Sequence, residues 1–191
     1  VSHSYFYKDG YEVSVMTRQV LVVPYDEQWP KMYKREIERI YPVLRDEIVS
    51  THHIGSTSIP GMWAKPIIDI LLDVKDIIRI DGYNDAMIGL GYLPRGELGI
   101  PGRRYFSREV PVDVRTHHIH AYQKGDRSIE RHIAFRDYMI EHPEDAERYI
   151  QLKKELAEKF PMDIESYIAG KEAFVDEMET RAIAWMRNGG R

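Results

Sequence analysis

Residues 67–74 read IIDILLDV, an apolar run of strand length that carries a carboxylate near its start. Bounded by turn signals, such a run reads as a strand covered on both faces, a place that ordinarily excludes charge. The residues before it, 52–61, read HHIGSTSIPG. A short strand, 49–54, therefore runs into a turn of small residues and then into the buried strand. Gly55, Ser56, Thr57 and Ser58 let backbone N–H groups and hydroxyls approach a phosphate without bulky side chains intervening. Asp69 beside such a turn points to a metal-assisted phosphate site. Lys65 lies close enough either to neutralise phosphate charge or to stand as an exposed loop lysine.

A second constellation is Thr116-His117-His118-Ile119-His120. Side chains alternate along a strand, so His118 and His120 share one face with Thr116 while His117 points the other way. Two imidazoles so placed can meet one metal ion, or contact a phosphate or substrate. Asp113, an alternative third acid, falls on the face of His117. Asp73 shares a face with Asp69, but four residues of strand separate them by roughly 13 Å, too far to grip one ion. It reads as a strand-end residue facing solvent. One of His52 and His53 faces the cleft, and alternation does not say which.

The rest of the chain orders itself around these motifs. Residues 19–23 read as a strand, followed by a helix with Pro30 in its first turn and Pro42 expected to kink or end it. Residues 82–90 read as a short helix ended by Gly91, and 92–95, 103–108 and 112–122 as strands. From 128 on the periodicity is helical: 129–141, 143–159 with Pro143 in its first turn, and 163–187 with Asp163 as N-cap. At 191 residues this is most simply one domain, 19–187, whose sheet-containing part spans about 19–125 and helical part about 128–187. Residues 1–18 read as an N-terminal extension, with Met16 a candidate ancestral start. Zero cysteines rule out disulfides and thiolate chemistry. A net charge of −4 gives no general sign of nucleic acid, although Arg103, Arg104, Arg108 and Arg115 could form a local basic groove. No transmembrane run or signal-peptide pattern appears, so a cytoplasmic protein is expected. Nucleophile-elbow, Walker A and dinucleotide patterns are absent.

The blocks HHIGSTSIPGMWAKPIIDILLDV, RTHHIHAY at 115–122 and RHIAFRDYMIEHP at 131–143 resemble the GrpB family, over about 19–186. That family is assigned to the nucleotidyltransferase-fold superfamily. The resemblance implies an α+β fold: a small, mixed, nucleotidyltransferase-like sheet with flanking helices and a C-terminal helical segment. It implies that Gly55 and Ser56 hold the terminal phosphates of an NTP and that Asp69 is the first metal carboxylate, with Mg²⁺ (or Mn²⁺) as cofactor. The superfamily's second acid, two residues on, is Leu71 here, which puts a two-metal mechanism in doubt. His118 and His120 would complete the metal shell, and Arg104, Arg136 and Lys171 are possible substrate contacts. The expected activity is transfer of a nucleotidyl group from an NTP to an unknown acceptor. The alternatives are a non-catalytic accessory domain that binds a nucleotide or a partner, and a metal-binding protein built on the histidine strand. The expected partner is an NTP or other phosphate-bearing small molecule, with neither membrane nor nucleic acid indicated.

Overall fold

The structure, a computed structural model, describes residues 4–6, 12–14, 19–109 and 114–190. Two short strands, β1 (Ser4–Phe6) and β2 (Glu12–Ser14), pair antiparallel with each other. Helix α1 (Trp29–Leu44) leads to β3 (Ile48–Ile54), a 3₁₀ turn at Ser56–Ser58, and β4 (Ile68–Val74). After a second 3₁₀ turn come α2 (Asn84–Gly89), β5 (Tyr92–Pro94), β6 (Arg103–Glu109) and β7 (Arg115–Gln123). Helices α3 (Arg127–Glu141), α4 (Pro143–Lys159) and α5 (Ile164–Arg187) complete the chain. The main sheet has the order β3-β4-β7-β6-β5, with β4 and β7 parallel and every other pair antiparallel. This is the expected α+β class.

Alternation along these strands gives the sheet two different faces. Ile68, Ile70, Leu72, Phe106 and Ile119 pack against α1 and α2 in the main core. On the other face Leu71, Ile54 and Tyr122 meet Ile129 and Ile133 of α3. Helices α3 to α5 close on one another around Tyr138, Tyr149 and Met178, with Ile59 and Met62 from the turn segment. The start of β4 and β7 on the α3 side is left to line a cavity, with α4 and α5 across from it.

Three local expectations are corrected. Residues 19–23 form no strand: Val23 makes an isolated bridge with Ala64, and the Val20 N–H donates to the Pro161 carbonyl at 2.8 Å. Those two partners lie on different parts of the molecule, so no continuous ladder develops. Pro42 does not stop α1 at its own position but sits in the last turn, two residues before the helix ends at Leu44. Asp73 does not face solvent; it is half-buried, and the Ser50 hydroxyl donates to it at 3.4 Å. Asp113 lies outside the described residues. Among the described residues, no helix is long and apolar enough to cross a membrane.

Candidate functional site

Parallel pairing sets Asp69 beside His118 and Leu71 beside His120, and the pleat turns Asp69, His118 and His120 to the cavity face. His118 Nδ1 lies 3.1 Å from Asp69 Oδ1 and His120 Nε2 lies 3.5 Å from the same oxygen. All three ligand atoms fall within 4.8 Å of one another. An ion held at roughly 2.0–2.2 Å by nitrogen and oxygen needs donor pairs roughly 3.0–3.4 Å apart; the two distances to Asp69 Oδ1 lie close to that range, so the three residues could share one divalent cation. Burial would raise the Asp69 carboxyl, but hydrogen bonds from His118 and His120 outweigh it and hold the group below the usual carboxylate range. The remaining ring nitrogens, His118 Nε2 and His120 Nδ1, are buried without a hydrogen-bond partner.

The turn between β3 and β4 is built to lean on this carboxylate. Gly55 has φ 69°, and a Cβ there would meet Asp69 Oδ2 at 2.5 Å. Only a residue without a side chain permits that approach. Ser56 and Thr57 line the cavity. The Thr57 hydroxyl donates to the Ile67 carbonyl at 3.1 Å, so His53 Nε2, 3.0 Å away, must be the donor to it. Ser58 turns away and closes the turn by donating to the Gly55 carbonyl at 2.6 Å. Of the four small residues, Ser56 keeps a hydroxyl directed at the cavity, while Gly55, Thr57 and Ser58 shape the turn.

The cavity, about 450 Å³, is walled by cations. Lys65 and Lys171 flank the ring of buried Tyr167 at 5.5 and 5.6 Å. Burial, then the charge of Lys171, lowers Lys65 to about 8. Two expected contacts are elsewhere. Arg104 faces the opposite side of the sheet and grips Asp81 with two hydrogen bonds of 2.6 and 2.8 Å. Arg136 is held by the His53 carbonyl at 3.0 Å and Asp137 at 2.7 Å, outside the cavity lining. His52 shares the Asp69 face but bonds Ser50 at 3.0 Å, and His53 stacks on Tyr33 of α1. Neither reaches the cavity.

Sequence reasoning missed Tyr105, Tyr167 and Lys153 among the lining residues and gave Arg103 only as part of a local basic groove. Arg103 and Tyr105 were findable, since strand alternation from His120 through its β6 neighbour Tyr105 points both inward. Lys153 was not: on α4 it looks like one more surface lysine in QLKKELAEK, yet it is 2% exposed. The Leu71 position, where a second acid is expected, is fully buried against Ile54, Tyr122 and α3.

Residues 19–181 match the family model described as GrpB protein. The chain is 45% identical over 170 residues to UPF0157 protein YqkA of Bacillus subtilis, covering 89% of this chain and 49% of that protein. It is 32% identical to the glutamate-rich protein GrpB of Alkalihalophilus pseudofirmus over 163 residues, 84% of this chain and 94% of that one. It thus spans about half the length of YqkA and nearly all of the second relative. The crystal structure of conserved protein GrpB from Enterococcus faecalis superposes with a TM-score of 0.82 at 38% identity, covering 86% of this chain and 98% of that chain. A family match over most of the chain and a fold shared at this level agree: the chain belongs to the GrpB family.

Proposed function

We infer that the cavity binds a divalent metal ion on Asp69, His118 and His120 together with the phosphates of a nucleotide, and transfers a nucleotidyl group to an acceptor hydroxyl or amine. The observation that carries this reading is the convergence of one carboxylate and two imidazoles with Ser56, Lys65 and Lys171 in a single cavity. Two nitrogens and one oxygen suit Mn²⁺ or Zn²⁺ better than Mg²⁺, which prefers an all-oxygen shell. The ion would supply charge neutralisation at the phosphates. The chain's own part is positioning: the Ser56 hydroxyl donates to a phosphate oxygen, and Lys65 and Lys171 offset the charge that builds on the leaving pyrophosphate.

A second reading, a binding domain without chemistry, is favoured by one specific feature. Among the described residues Asp69 is the one carboxylate lining the cavity, and Leu71 occupies the neighbouring position under α3. Two measurements separate the readings. Thermal shifts with Mn²⁺ and each NTP report binding, and label transfer from α-³²P-NTP reports reaction. Shifts with transfer support the first reading; shifts without transfer, over a broad set of acceptors, support the second. No shift with any nucleotide overturns both.

A further inference from the structure

Lys153 carries a buried amine that, when protonated, has no anion beside it among the described residues. Its Nζ donates to the Ser56 hydroxyl oxygen at 3.2 Å and to the Trp63 carbonyl, and it lies 4.3 Å from the centre of the Tyr149 ring. No carboxylate lies within ion-pair distance of it among the described residues. A buried charge of this kind is costly, and an aromatic face offsets only part of the loss.

The surroundings make the deficit larger. Lys65, on the segment before β4, and Lys171, on α5, face the same space and also lack a carboxylate partner among the described residues. Arg103 is half-committed, donating to the Glu97 and Leu98 carbonyls at 3.2 and 2.9 Å. Against these cations stands Asp69, already engaged by two imidazoles. Tyr105 and Tyr167, which line the cavity, and Tyr149, against Lys153, carry no charge near neutrality, since burial pushes all three up to about 12. Burial, followed by repulsion from Lys171, lowers Lys153 to about 7. A neutral amine has two N–H donors, which matches the two acceptors present, Ser56 Oγ and the Trp63 carbonyl. A third N–H, gained on protonation, needs a third acceptor. Ser56 Oγ accepts from Lys153 and shares a hydrogen bond with the Tyr149 hydroxyl, so an arriving oxyanion would compete with Tyr149 for the Ser56 O–H.

We propose that Lys153 anchors a phosphate or pyrophosphate group at Ser56, and that this oxyanion enters the cavity together with a proton taken up by Lys153. The proposal rests on the reading of the cavity as a phosphate site. The anion completes both deficits at once, providing the missing acceptor and the missing counter-charge. Lys65 and Lys171 add charge around it, which selects a multivalent oxyanion over a carboxylate.

The test uses the full chain, stripped of metal with a chelator, and titrates inorganic pyrophosphate calorimetrically at pH 6 and pH 8 in buffers of different ionisation enthalpy. Pyrophosphate itself exchanges protons, so the readout is the difference between wild type and variants. Lys153→Arg is charged throughout, and should bind within a few-fold of wild type while taking up close to one proton fewer at pH 8. Lys153→Met should bind at least ten-fold more weakly, and its ligand-free melting temperature at pH 6 should equal or exceed that of wild type, which shows that it folds. Equal proton uptake in wild type and Lys153→Arg, or unweakened binding by Lys153→Met, overturns the proposal and leaves the phosphate reading standing. Absence of pyrophosphate binding by metal-free wild type overturns the proposal, and absence of binding also after Mn²⁺ is restored overturns both. Binding that behaves as expected in a chain that takes no Mn²⁺ supports Lys153 and removes the metal.

Discussion

At Gly55 a single missing Cβ decides whether Asp69 can occupy its place. Gly55→Ala combines a φ of 69° with a contact of 2.5 Å to the carboxylate. It should cost about 1–3 kcal/mol in urea unfolding and abolish Mn²⁺ binding measured by calorimetry. The two faces of β7 give a sharper contrast. His118→Ala and His120→Ala should each weaken Mn²⁺ at least 10-fold, by comparison with the roughly 10–100-fold effects of lesser, outer-shell changes. His117→Ala should leave Mn²⁺ affinity unchanged, because that ring points to Glu36, 4.0 Å away on the opposite face. His53 supplies a pH prediction. Burial lowers it from 6.5 to about 4, so the unfolded chain binds its proton first as pH falls. Its contribution to stability should therefore decline from about pH 6.5 down to about 4 and stay constant below. His53→Gln should flatten that part of the curve of unfolding free energy against pH.

Elements are joined by polar anchors that the hydrophobic pattern does not reveal. Glu36 on α1 is a charged residue set in the stripe of Trp29, Ile40 and Leu44, and it is 3% exposed. It accepts from Arg39 at 2.7 Å, Arg108 of β6 at 3.0 Å and the Tyr92 hydroxyl of β5 at 3.1 Å. One carboxylate thus pins a helix to two strands. Glu36→Ala leaves Arg108 and Tyr92 unsatisfied, and should cost about 3–5 kcal/mol in denaturant unfolding. The start of α3 is a milder case. Asp126 caps it by accepting from the Ser128 N–H at 2.7 Å. Asp126→Ala should lower stability by about 1 kcal/mol, or a melting temperature by about 2–4 °C. The effect on ligand binding should be small, because α3 covers Leu71 rather than the cavity floor.

For the whole molecule, β1 and β2 form a sheet separate from the five-stranded one. A chain shortened to begin at Met16 should keep its melting temperature within a few degrees and its Mn²⁺ affinity unchanged; a large loss would assign the N-terminal segment a place in the core. Much of the rest was legible in the sequence. The three C-terminal helices, the strands at 67–74 and 103–108, and the shared face of His118 and His120 follow from periodicity and alternation, which are local properties of the backbone, while the meeting of that face with Asp69 was implied by the family resemblance. What sequence could not supply depends on contacts between residues far apart in the chain. Arg104 and Arg136 carry the charge a phosphate site needs, but Asp81 and Asp137 hold them outside it. Lys153, 97 residues from Ser56, enters the cavity only because α4 packs over the turn. Residue type and spacing determined which groups could do chemistry; packing of the helices on the sheet decided which of them meet, because burial and charge pairing are set by neighbours in space.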